Sequence, residues 1–430
     1  MSSPSFINFS KSGIKFIDGD RGVNYPNKSE LKSDGHCVFL NTGNVKKTGF
    51  DFSQVEYIDE EKDSQLRKGK IEKGDIVLTT RGTVGNVAIV DDGTPYSNIR
   101  INSGMVIVRA NPEEYDPYFI LLFFRSALFE KQYLSHGSGS AQPQLPISAL
   151  KNICFPDFDI EIQRAIVKAA ICIDKKIELN NRINAELEAM AKTLYDYWFV
   201  QFDFPDANGK PYLTSGGKMV YSPTLKREIP EGWEDGTLEE LGQIVGGSTP
   251  STRNPENFTT EGTPWIAPND LSNNQGNKFI SRGGQDVSAE GIRNASLKKY
   301  PAGTVLLSSR APIGYMAISR NEVTTNQGFK SFIPNKGYST EFIYYTVKNS
   351  LKAITQYASG STFKEVSGGT LKTVKVVLPS VAMSDAFTAK VKPIFNQQDF
   401  IERENAELVT LRDWLLPMLM NGQVTVGEAN

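Results

Sequence analysis

Gly74-Asp75-Ile76-Val77-Leu78-Thr79-Thr80-Arg81-Gly82-Thr83-Val84-Gly85 returns, 229 positions later, as Gly303-Thr304-Val305-Leu306-Leu307-Ser308-Ser309-Arg310-Ala311-Pro312-Ile313-Gly314. Both read as a turn glycine, a short apolar strand, two small hydroxyls, an arginine and a closing glycine. A recurrence at long period marks a duplicated unit.

The match extends outward. Gly139-Ser140 with Leu150-Lys151 is answered by Gly360-Ser361 with Leu371-Lys372, 221 positions on. Each copy then reaches an apolar strand ending in proline, at Pro156 and Pro379, and a long helical pattern follows. Asn184-Ala185-Glu186-Leu187 and Asn405-Ala406-Glu407-Leu408 repeat at the same 221 offset. Matches in one order at nearly constant offset predict globule, long helix, globule, long helix.

The first helical pattern carries Ile162, Ile166, Ala169, Ile173, Lys176, Asn180, Ile183, Leu187, Met190, Leu194 and Tyr197. Steps of four and three are the spacing of a coiled-coil seam, here interrupted midway by Lys176 and Asn180. The second carries Phe387, Ile394, Ile401, Leu408, Leu411, Leu415 and Met418, with Gln397 and Glu404 at seam positions. Pro393 is expected to kink or delay that helix. Each helix would run ~38 residues, or ~57 Å at the α-helical rise, more than a small globule needs. Antiparallel pairing of the seams buries both stripes and relates the globules by a pseudo-twofold axis. The alternative is a core helix in each globule. The stretch from Phe202-Asp203-Phe204-Pro205 to Ser215-Gly216-Gly217-Lys218 is polar and rich in Pro and Gly, so it reads as a linker or surface loop.

Within the globules, short β-rich runs (75–78, 87–90, 105–108, 305–307, 330–333) mix with helical patterns at 117–129 and 340–351. The fold class is α+β. Loops holding Gly, Asn, Ser, Thr and Arg lie at 18–24, 41–47, 81–85, 96–102 and 137–144, then at 246–254, 269–274, 310–314, 325–330 and 359–364. Arg reads guanine and Asn or Gln reads adenine, while Lys and small hydroxyls bond phosphates. The candidate DNA contacts are therefore Arg21, Asn44, Lys46, Arg81, Thr83, Asn98, Arg100, Ser138, Ser140 and Gln142 in the first globule. In the second they are Ser248, Thr249, Arg253, Asn269, Arg310, Asn326, Gln327, Lys330, Ser361 and Lys364. For each, the plainer alternative is a solvated turn; for Arg81 and Arg310 it is an arginine bracing the globule against its helix.

Bulk properties fit a reader rather than a coat. The 430 residues exceed one ordinary core. Lys and Arg total 47 against 49 Asp and Glu, which argues against coating DNA by charge alone and leaves room for local basic surfaces. Cys37, Cys154 and Cys172 have no disulfide or zinc spacing and read as reduced, mostly buried thiols. No window approaches the ~20 apolar residues of a membrane span, so a cytoplasmic location is expected. Catalytic motifs are missing: there is no phosphate-binding Walker loop, and His36 and His136 are the only histidines. Asn111-Pro112-Glu113 and Asn254-Pro255-Glu256 lack the second proline and aromatic of an amino-methyltransferase motif and read as turns. The rival readings are an enzyme with a divergent site, whether nuclease or methyltransferase, and a coiled-coil scaffold without a DNA role.

Asn208-Gly209-Lys210-Pro211-Tyr212, Ser215-Gly216-Gly217-Lys218-Met219-Val220-Tyr221 and Arg227-Glu228-Ile229-Pro230-Glu231-Gly232-Trp233 resemble the junction of Type I restriction–modification specificity subunits. Gly246-Gly247-Ser248-Thr249-Pro250, Pro264-Trp265-Ile266 and Asp270-Leu271 look like the start of a target recognition domain there, and Gly19-Asp20-Arg21-Gly22 with Tyr25-Pro26 looks like another such opening. The resemblance implies target recognition domains at 1–158 and 203–380 (the latter with its linker), and spacer helices at 159–202 and 381–422. It implies a non-catalytic subunit that fixes a bipartite, asymmetric DNA site and scaffolds two methyltransferase subunits and the restriction subunits. Ile166, Ile173, Asn180, Ile183, Leu187, Leu194, Ile394, Ile401, Leu408 and Leu415 would form the helix and partner contacts. The chain would hold no cofactor; S-adenosylmethionine, ATP and Mg would belong to the partners.

Overall fold

The computed structural model describes residues 4–135, 144–357 and 365–424. It forms two compact units, Met1–Ile177 with Glu407–Asn430, and Glu178–Ala406.

In the first unit, a four-stranded antiparallel sheet has the order Lys15–Asp18, Met105–Arg109, Ile76–Thr79, Val87–Ile89. Ile76 to Leu78 are all buried because the sheet is covered on both faces. Strand alternation deals the side chains to two cores. Ile76, Leu78, Val106 and Val108 meet the aromatic-rich helix Pro117–Arg125, while Val77, Met105 and Ile107 meet a second, smaller sheet. That smaller sheet has the order Tyr57–Ile58, Cys37–Leu40, Ile99–Ile101. Asp116 starts the helix by accepting from the amides of Tyr118 and Phe119, with Pro117 in the first turn.

The second unit repeats this plan. Gln243–Gly246, Lys330–Ile333, Val305–Ser309 and Ile313–Ser319 follow the same order, and a fifth strand, Phe279–Ile280, is added parallel to the last. Ser5–Asn8 pairs with Cys154–Asp157 in one unit as Glu234–Thr237 pairs with Lys375–Leu378 in the other. The helices Ile147–Asn152 and Gly368–Thr373 precede those closing strands at the 221 offset. The two globules therefore share one α+β architecture. Between helix and second globule, the expected linker is an aromatic knot: Phe204 stacks on Tyr212 and Trp233 at centroid distances of 4.6 and 4.8 Å.

The long helices are Ile160–Tyr195 and Val381–Met420. The second starts before Pro393 and continues through it, so the expected delay does not occur. Within each unit their segments pair antiparallel. In the first unit Ile166, Val167 and Ala170 share a core with Leu416, Leu419 and Met420, and Asp174 accepts from Arg412 at 3.1 Å. In the second unit Asn180 meets Asn405, Glu188 meets Gln398, and Ala191 joins Phe387, Val391 and Phe395 in one core.

The seam corrects the sequence expectation at several of its positions. Ile166, Ile173, Asn180, Leu187 and Leu194 face inward or lie at the edge of the pairing, as do Ile394, Ile401, Leu408 and Leu415. Ile162, Ile183 and Met190 do not: they are 37%, 40% and 55% exposed. Their immediate successors Gln163, Asn184 and Ala191 are buried instead. Leu411 is likewise exposed, and Gln398 rather than Gln397 is buried. Apolarity misplaced the stripe because this seam is partly polar. Asn180 donates to Glu404 at 2.6 Å and to Asn405 at 2.9 Å, and Asn405 donates to Asn181 at 2.9 Å. Satisfied amides can occupy an interface that unsatisfied ones could not.

Cys37 is buried, and burial pushes its thiol up to about 12; Cys154 is half-buried and Cys172 exposed, so the third is not the buried thiol expected. Among the described residues no helix is long and apolar enough to cross a membrane.

Candidate nucleic-acid interface

The duplicated hydroxyl–arginine pattern forms the base of a loop cluster in each globule. Thr79 Oγ1 donates to the Thr83 carbonyl and accepts from the Asn86 amide at 3.0 Å, closing the turn behind the strand. Thr80 donates through its amide (2.9 Å) and hydroxyl (3.1 Å) to the Gly104 carbonyl. The two hydroxyls are thus spent as bolts, which leaves Arg81 exposed at the loop crown. Gly82 and Gly85 take positive φ there, a conformation that disfavours side chains.

The second globule repeats most of this construction, although the buried Ser309 hydroxyl, unlike that of Thr80, has no hydrogen-bond partner among the described residues. Ser308 Oγ donates to the Pro312 carbonyl at 2.7 Å and accepts from the Tyr315 amide at 2.9 Å. The Ser309 amide donates to the Gly328 carbonyl at 2.8 Å. Gly104 and Gly328 are each fixed by an asparagine two residues before: Asn102 and Asn326 accept their amides at 2.9 and 2.8 Å. The amides of Asn102 and Asn326 donate to Leu40 and Ile266, both at 3.0 Å. Gly19 and Gly247 pass so close to the carbonyls of Asn102 and Asn326 that a Cβ at either would collide. Leu145 and Val366 return their amides to Thr80 and Ser309, both at 3.0 Å. Five loops therefore converge in each globule, near 20, 42, 82, 103 and 144 in the first and near 248, 268, 312, 327 and 365 in the second.

The crowns differ. In the first globule Arg21 is half exposed, bonding Asp18 at 3.0 Å and the Ser103 carbonyl at 3.4 Å, and Arg81, Thr83 and Lys46 are exposed. In the second, Arg310 and Lys330 lie 3.9 and 3.7 Å from the two oxygens of Glu365. Thr249 bonds Gln327 across two loops, the Trp265 indole donates to the Ser248 carbonyl at 3.0 Å, and Asn269 is exposed nearby on the helix Pro268–Asn273. Arg253 is exposed on the loop before the turn Pro255–Asn257. Ser138, Ser140, Gln142, Ser361 and Lys364 lie outside the described residues.

Four expected contacts serve the scaffold instead. Asn44 is buried, and its amide is consumed by the carbonyls of Asp51 (3.0 Å) and Gln54 (2.7 Å) and by the Asn41 amide. Asn98 is taken up by Lys70 and the His36 carbonyl. Arg100 is buried on Asp63, with its other donors on the Lys68 and Asp63 carbonyls at 2.8 Å. Burial would raise the Asp63 carboxyl, but the bonds from Lys70 and Arg100 outweigh it and hold it at about 2. Asn326 is the turn-former described above. Sequence reading passed over Gly104, Gly328 and Asn102, whose signal was present as Asn-x-Gly at 102–104 and 326–328. Both Asn-Pro-Glu segments are turns as expected: Asn111 and Asn254 each accept the amide two residues on.

Comparison with known proteins matches this duplicated architecture. The family model described as Type I restriction modification DNA specificity domain fits residues 20–189 and again 230–409. The HindI specificity subunit of Haemophilus influenzae is 26% identical over 94% of this chain and 98% of its own length. The MjaIX specificity subunit of Methanocaldococcus jannaschii is 43% identical over 36% of this chain and 35% of its own. In fold, the chain resembles the crystal structure of a Type I restriction–modification S subunit from M. genitalium, with a TM-score of 0.56 at 15% identity over 97% of this chain and 96% of that one. The chain belongs to the Type I restriction–modification DNA specificity family and carries its domain twice.

Proposed function

We propose that each five-loop crown engages one half of a split, asymmetric duplex site, and that the chain contributes recognition and assembly while its partners supply the chemistry. The observation that carries this is the contrast between the two crowns. Their loop scaffolds share most of their backbone hydrogen bonds, whereas the exposed side chains upon them differ. That is what two readers of different sequences require. Arg21, Lys46, Arg81 and Thr83 would meet the first half-site, and Ser248, Thr249, Arg253, Asn269, Arg310, Gln327 and Lys330 the second. Arginine is suited to guanine edges, and lysine and hydroxyls to phosphates. Ser138, Ser140, Gln142, Ser361 and Lys364 remain candidates by sequence alone.

The helical segments 159–202 and 381–422 would set the distance between half-sites and present surfaces to two methyltransferase subunits and to the restriction subunits. Met190, Phe400 and Trp414 are large, exposed and apolar on those helices, which favours protein contact there. S-adenosylmethionine, ATP and Mg would sit in the partners, and the assembly would act in the cytoplasm.

The test is single-molecule sequencing of methylated adenines in cells expressing the methyltransferase partner, with and without this chain. A new bipartite motif that depends on the chain is expected. No new motif, with the partner expressed and bound, would overturn the reading in favour of a scaffold without a DNA role.

A further inference from the structure

The fifth strand of the second globule's sheet, Phe279–Ile280, has no counterpart in the first globule, whose sheet ends at Val87–Ile89 among the described residues. That added strand is one of the places where the second globule meets the helices, besides the apolar core they share. Lys278, just before it, is only 4% exposed. Its ammonium lies 2.6 Å from Glu188 on the first long helix and 2.6 Å from Gln398 on the second. The Phe395 ring covers it at 3.7 Å. The amides of Lys278 and Phe279 donate to the Glu402 carboxylate at 2.6 and 3.1 Å. Arg320, following the neighbouring strand, bonds Glu402 at 2.8 Å and also Asp399.

This is a costly way to hold two surfaces together. Burial pushes the Lys278 ammonium down to about 8 despite the opposing pull of Glu188, and burial raises the Glu402 carboxyl. Apolar packing would supply adhesion without burying charge. What a buried, fully bonded ionic cluster adds is direction, because its geometry admits one arrangement. Where the first long helix starts against the first globule, the contact is neutral by contrast: Gln163 accepts from the Asp116 amide at 3.0 Å and donates to the carbonyls of Glu114 and Phe158 at 3.1 and 2.7 Å. At the equivalent place in the second helix stands Ser384, whose buried hydroxyl has no hydrogen-bond partner among the described residues.

We infer that Lys278 is a positioning residue: clamped between Glu188, Gln398 and Glu402, it fixes the angle of the second globule on the helix pair, and so the length of unread DNA at which the second half-site is accepted. The inference rests on the proposed reading of a bipartite site. Lys278 touches no base; it acts through the orientation of the crown that does.

The experiment is the methylation map of the full complex carrying Lys278→Met, compared with wild type and with Lys278→Arg. Both half-site sequences should be retained in Lys278→Met, with discrimination against spacers one base pair longer or shorter falling by about tenfold. Lys278→Arg, which keeps the charge, should recover part of that discrimination. A uniform loss of methylation at unchanged spacing in the folded variant would overturn the inference, leaving the cluster as a source of stability alone. If Lys278→Met does not accumulate as folded protein, Arg320→Gln loosens the same seat from its edge, and unchanged spacer discrimination in that variant overturns the inference equally. A wild-type map without a bipartite motif would instead refute the functional reading on which it rests.

Discussion

Replacing Asp63 by asparagine should loosen the first globule without altering what it reads. The Asp63 carboxylate takes the Arg100 guanidinium on one oxygen and Lys70 at 2.6 Å on the other, and the Arg100 side chain is only 9% exposed. Two routes give the magnitude. A carboxyl held at about 2 rather than its ordinary 3.8 contributes on the order of 2 kcal/mol at neutral pH. Leaving a buried guanidinium without its counter-charge costs about 3–5 kcal/mol. About 3 kcal/mol lies between them and corresponds to roughly a hundredfold faster amide exchange through opening of that region. Deuterium exchange on the full chain, followed at peptides covering Cys37–Leu40 and Ile99–Ile101, reads this directly, with peptides of 305–333 as an internal control. The pH dependence has a fixed sign: the folded-state value is depressed, so the contribution is complete above the ordinary carboxylate range and disappears as pH falls through about 2. An Asp63→Asn protein whose first-globule peptides exchange within about threefold of wild type would refute the assignment of Arg100 to the scaffold.

The seam makes a paired prediction: Met190→Ser should change stability by under about 0.5 kcal/mol, while Ala191→Leu one residue later should cost about 1–3 kcal/mol by overpacking, both read by thermal unfolding. Arg81→Ala should weaken recognition of the first half-site by about 1–3 kcal/mol, seen as a methylation loss that spares second-half preference; equal relaxation of both halves would contradict a local role. Trp233→Ala should cost about 2–4 kcal/mol by emptying the aromatic stack on Phe204, visible as faster exchange across 199–213.

The strand that carries Arg81 was legible because duplication isolates what the fold needs: hydroxyls and glycines recur where turns demand them, whatever the loops read. The alternation of long helix and globule was legible for the same reason. Individual contacts were not. Arg100 and Arg81 look alike in a polar stretch, yet one turns inward to Asp63 and the other outward, a difference fixed by strand pleat and by an aspartate 37 positions earlier. The seam failed for a related reason. Periodicity locates a stripe by its apolar members, but here Asn180, Asn184 and Ala191 fill it, while Ile183 and Met190 lie just outside. The Lys278 cluster left no sequence signal, since its members come from four separate segments.

The antiparallel return of the last helix has a consequence for how the chain is made. Ile166 finds Leu416 in the first unit's core, but Leu416 is synthesised 250 positions later. At about 5–20 residues per second that is a wait of roughly 12–50 s on the ribosome. Throughout it, the stripe of Ile166, Val167 and Ala170 has the first globule's core beside it but lacks its partner on the last helix. The first unit thus begins folding early and finishes last, and a nascent chain offers its half-built helix pair to chaperones, or to the matching segment of another copy, before its own partner exists.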